Sequence, residues 1–291
     1  MITVRAPATS ANLGSGFDVF GVALDRPADY VTVERAEATT LEIEGYGSEY
    51  IPTDPARNTA GVVARELDAP AHITIEKGVR PSSGLGSSAA SAAAAAVALN
   101  ELYDCGLTTE ELVRVAAEGE AAVSGEAHAD NVAPAILGGF TIVRDDGVTS
   151  IPTDVSLVAC LPEIVVSTRD ARRVVPDSVA IEDLVDTVGS AATLTAGFEQ
   201  DDPVLVGRGM REHVVTPARA ALIDGYARAV DHAKKAGATG ATISGSGPSV
   251  LAVCYPGRQR EVASALIEGF NEEGVDARAY QSGVGTGAEI L

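Results

Sequence analysis

The segment Pro81-Ser-Ser-Gly-Leu-Gly-Ser-Ser-Ala-Ala-Ser constrains this chain more than any other. Two closely spaced glycines, Gly84 and Gly86, let a backbone approach a ligand closely. The apolar stretch Ala89–Leu99 that follows reads as an Ala-rich helix from about Ser87 to Tyr103. A helix starting there aims its free N–H groups and its positive dipole end at the loop. Ser82, Ser83, Ser87 and Ser88 add hydroxyl donors, so the junction suits a polyphosphate. A flexible Gly/Ser linker would not run straight into such a helix. The loop is not a Walker A motif, because no Gly-Lys-Ser/Thr follows the glycines. Gly84–Ala89 does fit the degenerate dinucleotide pattern G-x-G-x-x-A. Four residues, Arg80–Ser83, separate the preceding strand from the first glycine, however, and no acidic residue ends a second strand about 20 positions later, so hydride transfer is a distant alternative.

Around this junction the chain reads as α+β in two units. Strands are expected at Ile2–Arg5 and Tyr30–Arg35 around a Gly-rich loop at Leu13–Gly21, then at Ala71–Val79 and Gly138–Arg144. Helices are expected at Asn58–Leu67 and after Thr108, an N-cap followed by acidic residues. His128, Asp130 and Asn131 read as a turn before Pro134. The second unit is expected to hold strands at Ser156–Leu161, Glu163–Ser167, Ala241–Ser244, Pro248–Tyr255 and Ala277–Gln281. Its helices are expected near Ile181–Phe198, Pro203–Gly209, Pro217–Ala236 and Arg258–Glu272.

Charge narrows the partners. The 21 basic residues face 41 acidic ones, for a net charge of −20, and only Lys77, Lys234 and Lys235 are lysines. Nucleic acid is disfavoured, since phosphate binding depends on clustered cations. The acids are scattered rather than gathered in a tail, a pattern that resembles proteins of salt-loving archaea. Cys105, Cys160 and Cys254 form no metal or disulfide pattern and are expected as small buried hydrophobes. No membrane span is expected, because Ala89–Leu99 is about half of the roughly 20 residues required. The start Met1-Ile-Thr-Val-Arg-Ala-Pro has neither a basic nor an apolar leader region, so a cytoplasmic protein is expected. With aromatics at 4% and no Trp, small residues must supply most of the core.

Three segments in order carry a family resemblance. Pro81–Ala90 resembles the phosphate loop of the GHMP small-molecule kinases. Pro7-Ala-Thr-Ser-Ala-Asn-Leu-Gly-Ser-Gly-Phe-Asp-Val-Phe-Gly resembles their first motif, and Ile243-Ser-Gly-Ser-Gly-Pro-Ser their third. The wording of the first and third, with Glu118-Gly-Glu-Ala and His128-Ala-Asp-Asn-Val-Ala-Pro, is similar to the homoserine kinase branch. The resemblance implies the two-domain GHMP kinase fold, with a ribosomal-protein-S5-like domain 2 type unit over 1–150 and a ferredoxin-like α/β sandwich over 151–291. It also implies an ATP-dependent transfer to the L-homoserine hydroxyl, giving O-phospho-L-homoserine on the way to threonine. A homodimer is expected by analogy and base rate.

Site residues follow from the same resemblance. Pro81, Ser82, Ser83, Gly84, Leu85, Gly86, Ser87, Ser88, Ala89, Ala90 and Ser91 would wrap ATP, with Asn58 on the adenine side. Ser88 and Glu120 would hold Mg2+, a cation that takes few protein oxygens and keeps its waters. The acceptor is a zwitterion. Asn12 and Asp18 would suit its ammonium, and Arg172 and Arg219 its carboxylate, which arginine grips bidentately. His128 and Asn131 would lie near its hydroxyl. Catalysis would rest on Asp18, Asp130 and Asn131. Either Asp130 takes the hydroxyl proton, or Asn131 holds the hydroxyl while the phosphate accepts it. Another GHMP kinase, acting on a mevalonate-type or sugar-type hydroxyl, is the alternative. A non-catalytic module on the same fold is a third reading, which the presence of both Ser88 and Glu120 opposes.

Overall fold

A computed structural model of the chain describes residues 1–125 and 129–291. The first half builds a mixed sheet from β1 (Ile2–Ala11), β2 (Phe20–Arg35) and β3 (Thr40–Gly45). After α1 (Thr59–Glu66) come β4 (Ala71–Lys77), α2 (Ser87–Tyr103), α3 (Thr109–Ser124) and α4 (Ala129–Leu137), then β5 (Phe140–Arg144) and β6 (Gly147–Ile151). The second half runs β7 (Ser156–Pro162), α5 (Thr168–Arg173), α6 (Ile181–Glu199), α7 (Pro203–Gly209), α8 (Val215–Ala220) and α9 (Tyr226–Lys235). It ends with β8 (Ala238–Ile243), β9 (Val250–Cys254), α10 (Gln259–Glu272), β10 (Ala277–Ser282) and β11 (Glu289–Ile290).

The first sheet has seven strands in the order β11-β1-β2-β4-β3, with β5 pairing β2 and β6 pairing β5. Among the described residues, only β3 and β4 run parallel. The second sheet is antiparallel, β10-β7-β9-β8. The last strand returns to the first sheet, where Val4 faces Ile290.

Small residues let α2 sit deep. Ala89–Ala96 are buried on every side except Ser91's neighbourhood of polar partners, between the first sheet and helices α1, α3 and α4. An apolar surface all round a helix requires such an enclosed place. The strand β7 is buried on both faces, with Leu157 and Ala159 in one core cluster and Val158 and Cys160 in the other. Three of the five phenylalanines gather where the two halves meet: Phe140 stacks on Phe198 at 4.4 Å and meets Phe20 edge-on at 5.1 Å.

Several expectations need correction. Glu163–Ser167 is not a strand; β7 ends at Pro162 and the chain leaves the sheet, with Val166 packed inward and Val165 exposed, which mimics strand alternation. Asp130 and Asn131 lie on α4, not in a turn, and Pro134 sits inside that helix. Proline has no N–H for the Asp130 carbonyl, and that carbonyl instead lies against Gly21, where an added Cβ would approach it to 1.9 Å. The helix expected over Pro217–Ala236 is two, α8 and α9, broken before Gly225 at φ +84°. Cys105 is half-buried, unlike the two buried cysteines. No helix among the described residues is long and apolar enough to cross a membrane.

With a net charge of −20, the folded chain repels itself in dilute buffer, where the Debye length is roughly 30 Å at 0.01 M. Molar potassium chloride is expected to raise the melting temperature and the activity. A melting curve unchanged from dilute to molar salt would contradict this account of the acidic surface.

Candidate active site

One cavity of about 480 Å³ runs along the seam between the halves and brings the phosphate loop, Glu120, Asp130 and Arg219 together. Its floor is the loop Pro81–Gly86 leading into α2. Gly84 has φ +79°, and an added Cβ there would lie 2.7 Å from the carbonyl oxygens of both Ser244 and Gly247. The second Gly-rich turn therefore packs directly on the first. Ser244 Oγ donates to the Gly84 carbonyl at 2.6 Å, and the Ser249 N–H donates to the Ser83 carbonyl at 3.2 Å.

Most of the loop's hydroxyls are engaged by the scaffold rather than turned to a ligand. Ser87 Oγ donates to the Val79 carbonyl at 2.8 Å, Ser83 Oγ accepts from the Leu85 N–H, and Ser91 Oγ donates to Asp29. Ser82 and Ser88 are the exposed serines of the loop, and both line the cavity along with Pro81, Gly86 and Ala89. Leu85 and Ala90 point into the core and do not line the cavity. What the loop offers an anion is therefore mainly its N–H groups at the α2 terminus.

Ser88 Oγ donates to Glu120 Oε2 at 2.9 Å. Glu120 is 2% exposed on α3, and burial pushes its carboxyl up to about 7, against the opposing pull of the Ser88 hydrogen bond and Lys77. Lys77 was not singled out from the sequence. Its ammonium is buried against Asp29 and also donates to the Ser87 carbonyl at 2.8 Å and to Ser91 Oγ at 2.9 Å. Burial holds Lys77 below the usual lysine range while Asp29 opposes the shift. Strand parity carried the signal: Lys77 shares the inward face of β4 with Ile73 and Ile75, and Asp29 shares that of β2 with Val31 and Val33.

At the other end, the Gly-rich loop after β1 is held in a contorted shape. Asn12, Leu13 and Asp18 all have positive φ, at 72°, 51° and 57°. Asn12 Oδ1 accepts the Asp18 N–H at 2.9 Å, while its Nδ2 donates to the Gly245 carbonyl at 2.9 Å. Asp18 is paired with Arg172 across the seam, through Nη1 at 2.7 Å and Nη2 at 3.4 Å. Arg219 is 5% exposed and donates from Nε to the Ala171 carbonyl and from Nη1 to the Gly245 carbonyl. The two guanidinium groups share Phe17, at 5.2 and 5.0 Å from its ring centre, a contact not foreseen although Phe17 stands in the first motif.

Between the two ends lie Asp130 and Asn131. Burial, reinforced by the charge of Asp18, pushes the Asp130 carboxyl up to about 7. Asn131 Nδ2 is 3.5 Å from Asp130 Oδ1, and its Oδ1 accepts from Thr9 Oγ1 at 2.9 Å. Asn58 lines the cavity wall, capping α1 through the Ala60 N–H and donating to the Pro52 carbonyl at 2.9 Å. His128 lies outside the described residues.

The chain is also similar to known proteins. The family "GHMP kinases N terminal domain" matches residues 55–139, and "GHMP kinases C terminal" matches residues 194–272. Homoserine kinases from Natronomonas pharaonis and Haloquadratum walsbyi are 65% and 68% identical, each covering all of this chain and all of that protein. The chain belongs to the homoserine kinases, a branch of the GHMP kinase family. The crystal structure of homoserine kinase from Cytophaga hutchinsonii is 36% identical, with a TM-score of 0.91 over 100% of this chain and 97% of that one. L. major mevalonate kinase, crystallised with R-mevalonate, is 18% identical with a TM-score of 0.74 over 97% and 95%, and shares the fold alone. The α+β, two-domain GHMP kinase architecture is thus observed, and the acidic composition fits homoserine kinases of salt-loving archaea.

Proposed function

We propose that this homoserine kinase transfers the terminal phosphoryl group of ATP to the side-chain hydroxyl of L-homoserine, giving ADP and O-phospho-L-homoserine. The observation that carries this acceptor is the Asp18–Arg172 ion pair beside Arg219 in the phosphate-loop cavity. An amino-acid zwitterion can exchange into that pair, its ammonium meeting Asp18 and Asn12 and its carboxylate meeting Arg172 and Arg219. A neutral sugar has neither charge, and mevalonate lacks the ammonium.

ATP would lie with its phosphates on Pro81–Ser91 and its base toward Asn58, which braces that wall. The donor set suits Mg2+: a hydroxyl and a carboxylate 2.9 Å apart, with no cluster of three or more His, Cys, Asp or Glu among the described residues. Such an ion takes its remaining oxygens from phosphates and water. Ser88 and Glu120 would hold it, and when bound it neutralises charge on the transferred phosphoryl group. Asn131 would hold the acceptor hydroxyl, near His128. The hydroxyl proton has two acceptors in this reading, Asp130 and the phosphoryl oxygen. The buried Asp130 favours itself near neutrality, because a carboxyl at about 7 balances availability against basicity.

The reading includes a division near residue 150, a cytoplasmic location and a homodimer. The homodimer rests on the frequency of two-fold assemblies. The acceptor is tested by ADP release over a panel of hydroxylated amino acids, mevalonate and sugars. Magnesium-dependent turnover is expected with L-homoserine. Turnover with mevalonate or galactose and none with homoserine would refute it.

A further inference from the structure

Thr9 is fully buried, one of two hydroxyl residues, with Ser10, in a stretch of β1 whose Ala6, Ala8 and Ala11 are also buried. Its position in the strand is irregular. The register of β1 on β2 shifts between Pro7 and Thr9, so the strand is offset just before this residue. From there Thr9 touches two parts of the site. Its N–H donates to the Leu85 carbonyl of the phosphate loop at 3.1 Å, and its Oγ1 donates to Asn131 Oδ1 at 2.9 Å. Gly86, the residue that opens α2, must be a glycine beside them, because a Cβ there would stand 2.0 Å from Thr9 Oγ1 and 3.0 Å from Asn131 Oδ1.

While Asp130 is ionised, the chemistry of the three groups sets which way the Asn131 amide faces. Ionised Asp130 can only accept, so the Asn131 atom turned toward it, at 3.5 Å, is the nitrogen. The amide oxygen then faces Thr9, whose hydroxyl supplies the proton. An amide has nearly the same shape after a flip, so shape alone does not choose between the two orientations. When Asp130 takes up a proton near pH 7 it becomes able to donate, and its preference for the nitrogen weakens. The threonine hydroxyl can itself serve either face, but its N–H tether to Leu85 fixes where it stands relative to the loop.

We infer that Thr9 is a positioning residue for phosphoryl transfer: it ties the phosphate loop to Asn131 and keeps the amide nitrogen toward the acceptor hydroxyl. The inference rests on the reading of Asn131 as the group that holds that hydroxyl. With Nδ2 presented, Asn131 donates to the hydroxyl oxygen and leaves its proton and an attacking lone pair directed away from the amide. Its N–H on the Leu85 carbonyl and its hydroxyl on Asn131 join the loop to the acceptor side, so the distance between the acceptor oxygen and the phosphates is set through one buried residue.

Steady-state kinetics of Thr9→Val, Thr9→Ala, Thr9→Ser, Asn131→Ala and the double variant Thr9→Ala/Asn131→Ala test this, each alongside a melting curve. Thr9→Val and Thr9→Ala are expected to lower kcat about tenfold, the effect of one hydrogen bond at roughly 1.4 kcal/mol, with KM for ATP unchanged. Thr9→Ser keeps the hydroxyl and is expected to stay within about threefold of the native kcat. In the Asn131→Ala background the Thr9 change is expected to cost nothing further, because its target is gone. Native kcat in Thr9→Ala, a Thr9→Ser as slow as Thr9→Ala, or a full further loss in the double variant would each overturn the inference. If Thr9→Val does not fold, Thr9→Ala decides, since it adds no methyl beside Asn131. A native kcat in Asn131→Ala overturns the underlying reading of Asn131 instead.

Discussion

Glu120→Gln is expected to lower kcat by about 10²–10³-fold, the range seen when one preorganised group that stabilises transition-state charge is removed. The variant keeps the shape and can still accept from Ser88, so the fold should persist. What it loses is the negative charge beside Ser88 Oγ at 2.9 Å. The pH dependence provides a second readout. A carboxylate must shed its proton before it takes a cation, and burial holds Glu120 at about 7. The magnesium concentration needed for half-maximal rate is therefore expected to rise about tenfold per pH unit below 7 and to level off above it. In the Gln variant that slope should vanish. Stability runs the other way in the metal-free protein. The folded pKa lies above the ordinary 4.5, so this group's contribution is fully present below 4.5 and is lost as pH rises through about 7. Thermal melts at pH 8 without magnesium are thus expected to favour Glu120→Gln. A native rate with an unchanged magnesium requirement would remove Glu120 from the metal site.

Arg219→Ala is expected to cut kcat/KM for L-homoserine by about a hundredfold, near the upper end of the loss for a hydrogen bond to a charged group. Arg172→Ala is expected nearer tenfold. The difference comes from surroundings. Arg219 is 5% exposed and braces the Ala171 and Gly245 carbonyls, whereas the Arg172 side chain is 36% exposed and faces Asp18 at the cavity's mouth. Removing Arg219 takes a buried donor from the Ala171 carbonyl, while Asn12 still serves the Gly245 carbonyl, so its melting temperature should fall as well. Lysine at either position is expected to restore only part of the activity, since an ammonium lacks the planar fork. KM for ATP should hardly move. Kinetics varying each substrate in turn measure this, and native homoserine kinetics in Arg219→Ala would withdraw that residue from the acceptor site.

The legible parts of the chain were those written in local chemistry. The α2 start follows from Gly84 and Gly86 ahead of an alanine run, and α3 carries a full capping box between Thr108 and Glu111. Misreadings arose where tertiary contacts imitate or override a local signal. Ile164 and Val166 alternate with Val165 because they pack on a core beside a cavity, not because a neighbouring strand pairs with them. Pro134 looks like a helix breaker, yet the one carbonyl it deprives belongs to Asp130 and lies against Gly21. Within the site, residue types pointed to a phosphate cradle, while partners far apart in sequence stayed hidden. Asp18 with Arg172, Asp29 with Lys77 and Thr9 with Asn131 meet only after the sheets assemble.

The return of the last strand to the first sheet has a mechanical consequence. Two spans, 152–155 and 283–288, join the halves. The second is fastened by the Gly285 N–H to the Ala23 carbonyl at 2.9 Å and by the Ala288 N–H to the Ile136 carbonyl at 3.1 Å. A single tether would let the halves swivel in any direction. Two tethers resist sliding and twisting of one half on the other, because either displacement pulls against the fastened span. Because the cavity lies along that seam and one buried core, from Leu13 and Phe140 to Leu157 and Phe198, continues across it, Arg172 stays registered against Asp18 and Ser244 against Gly84.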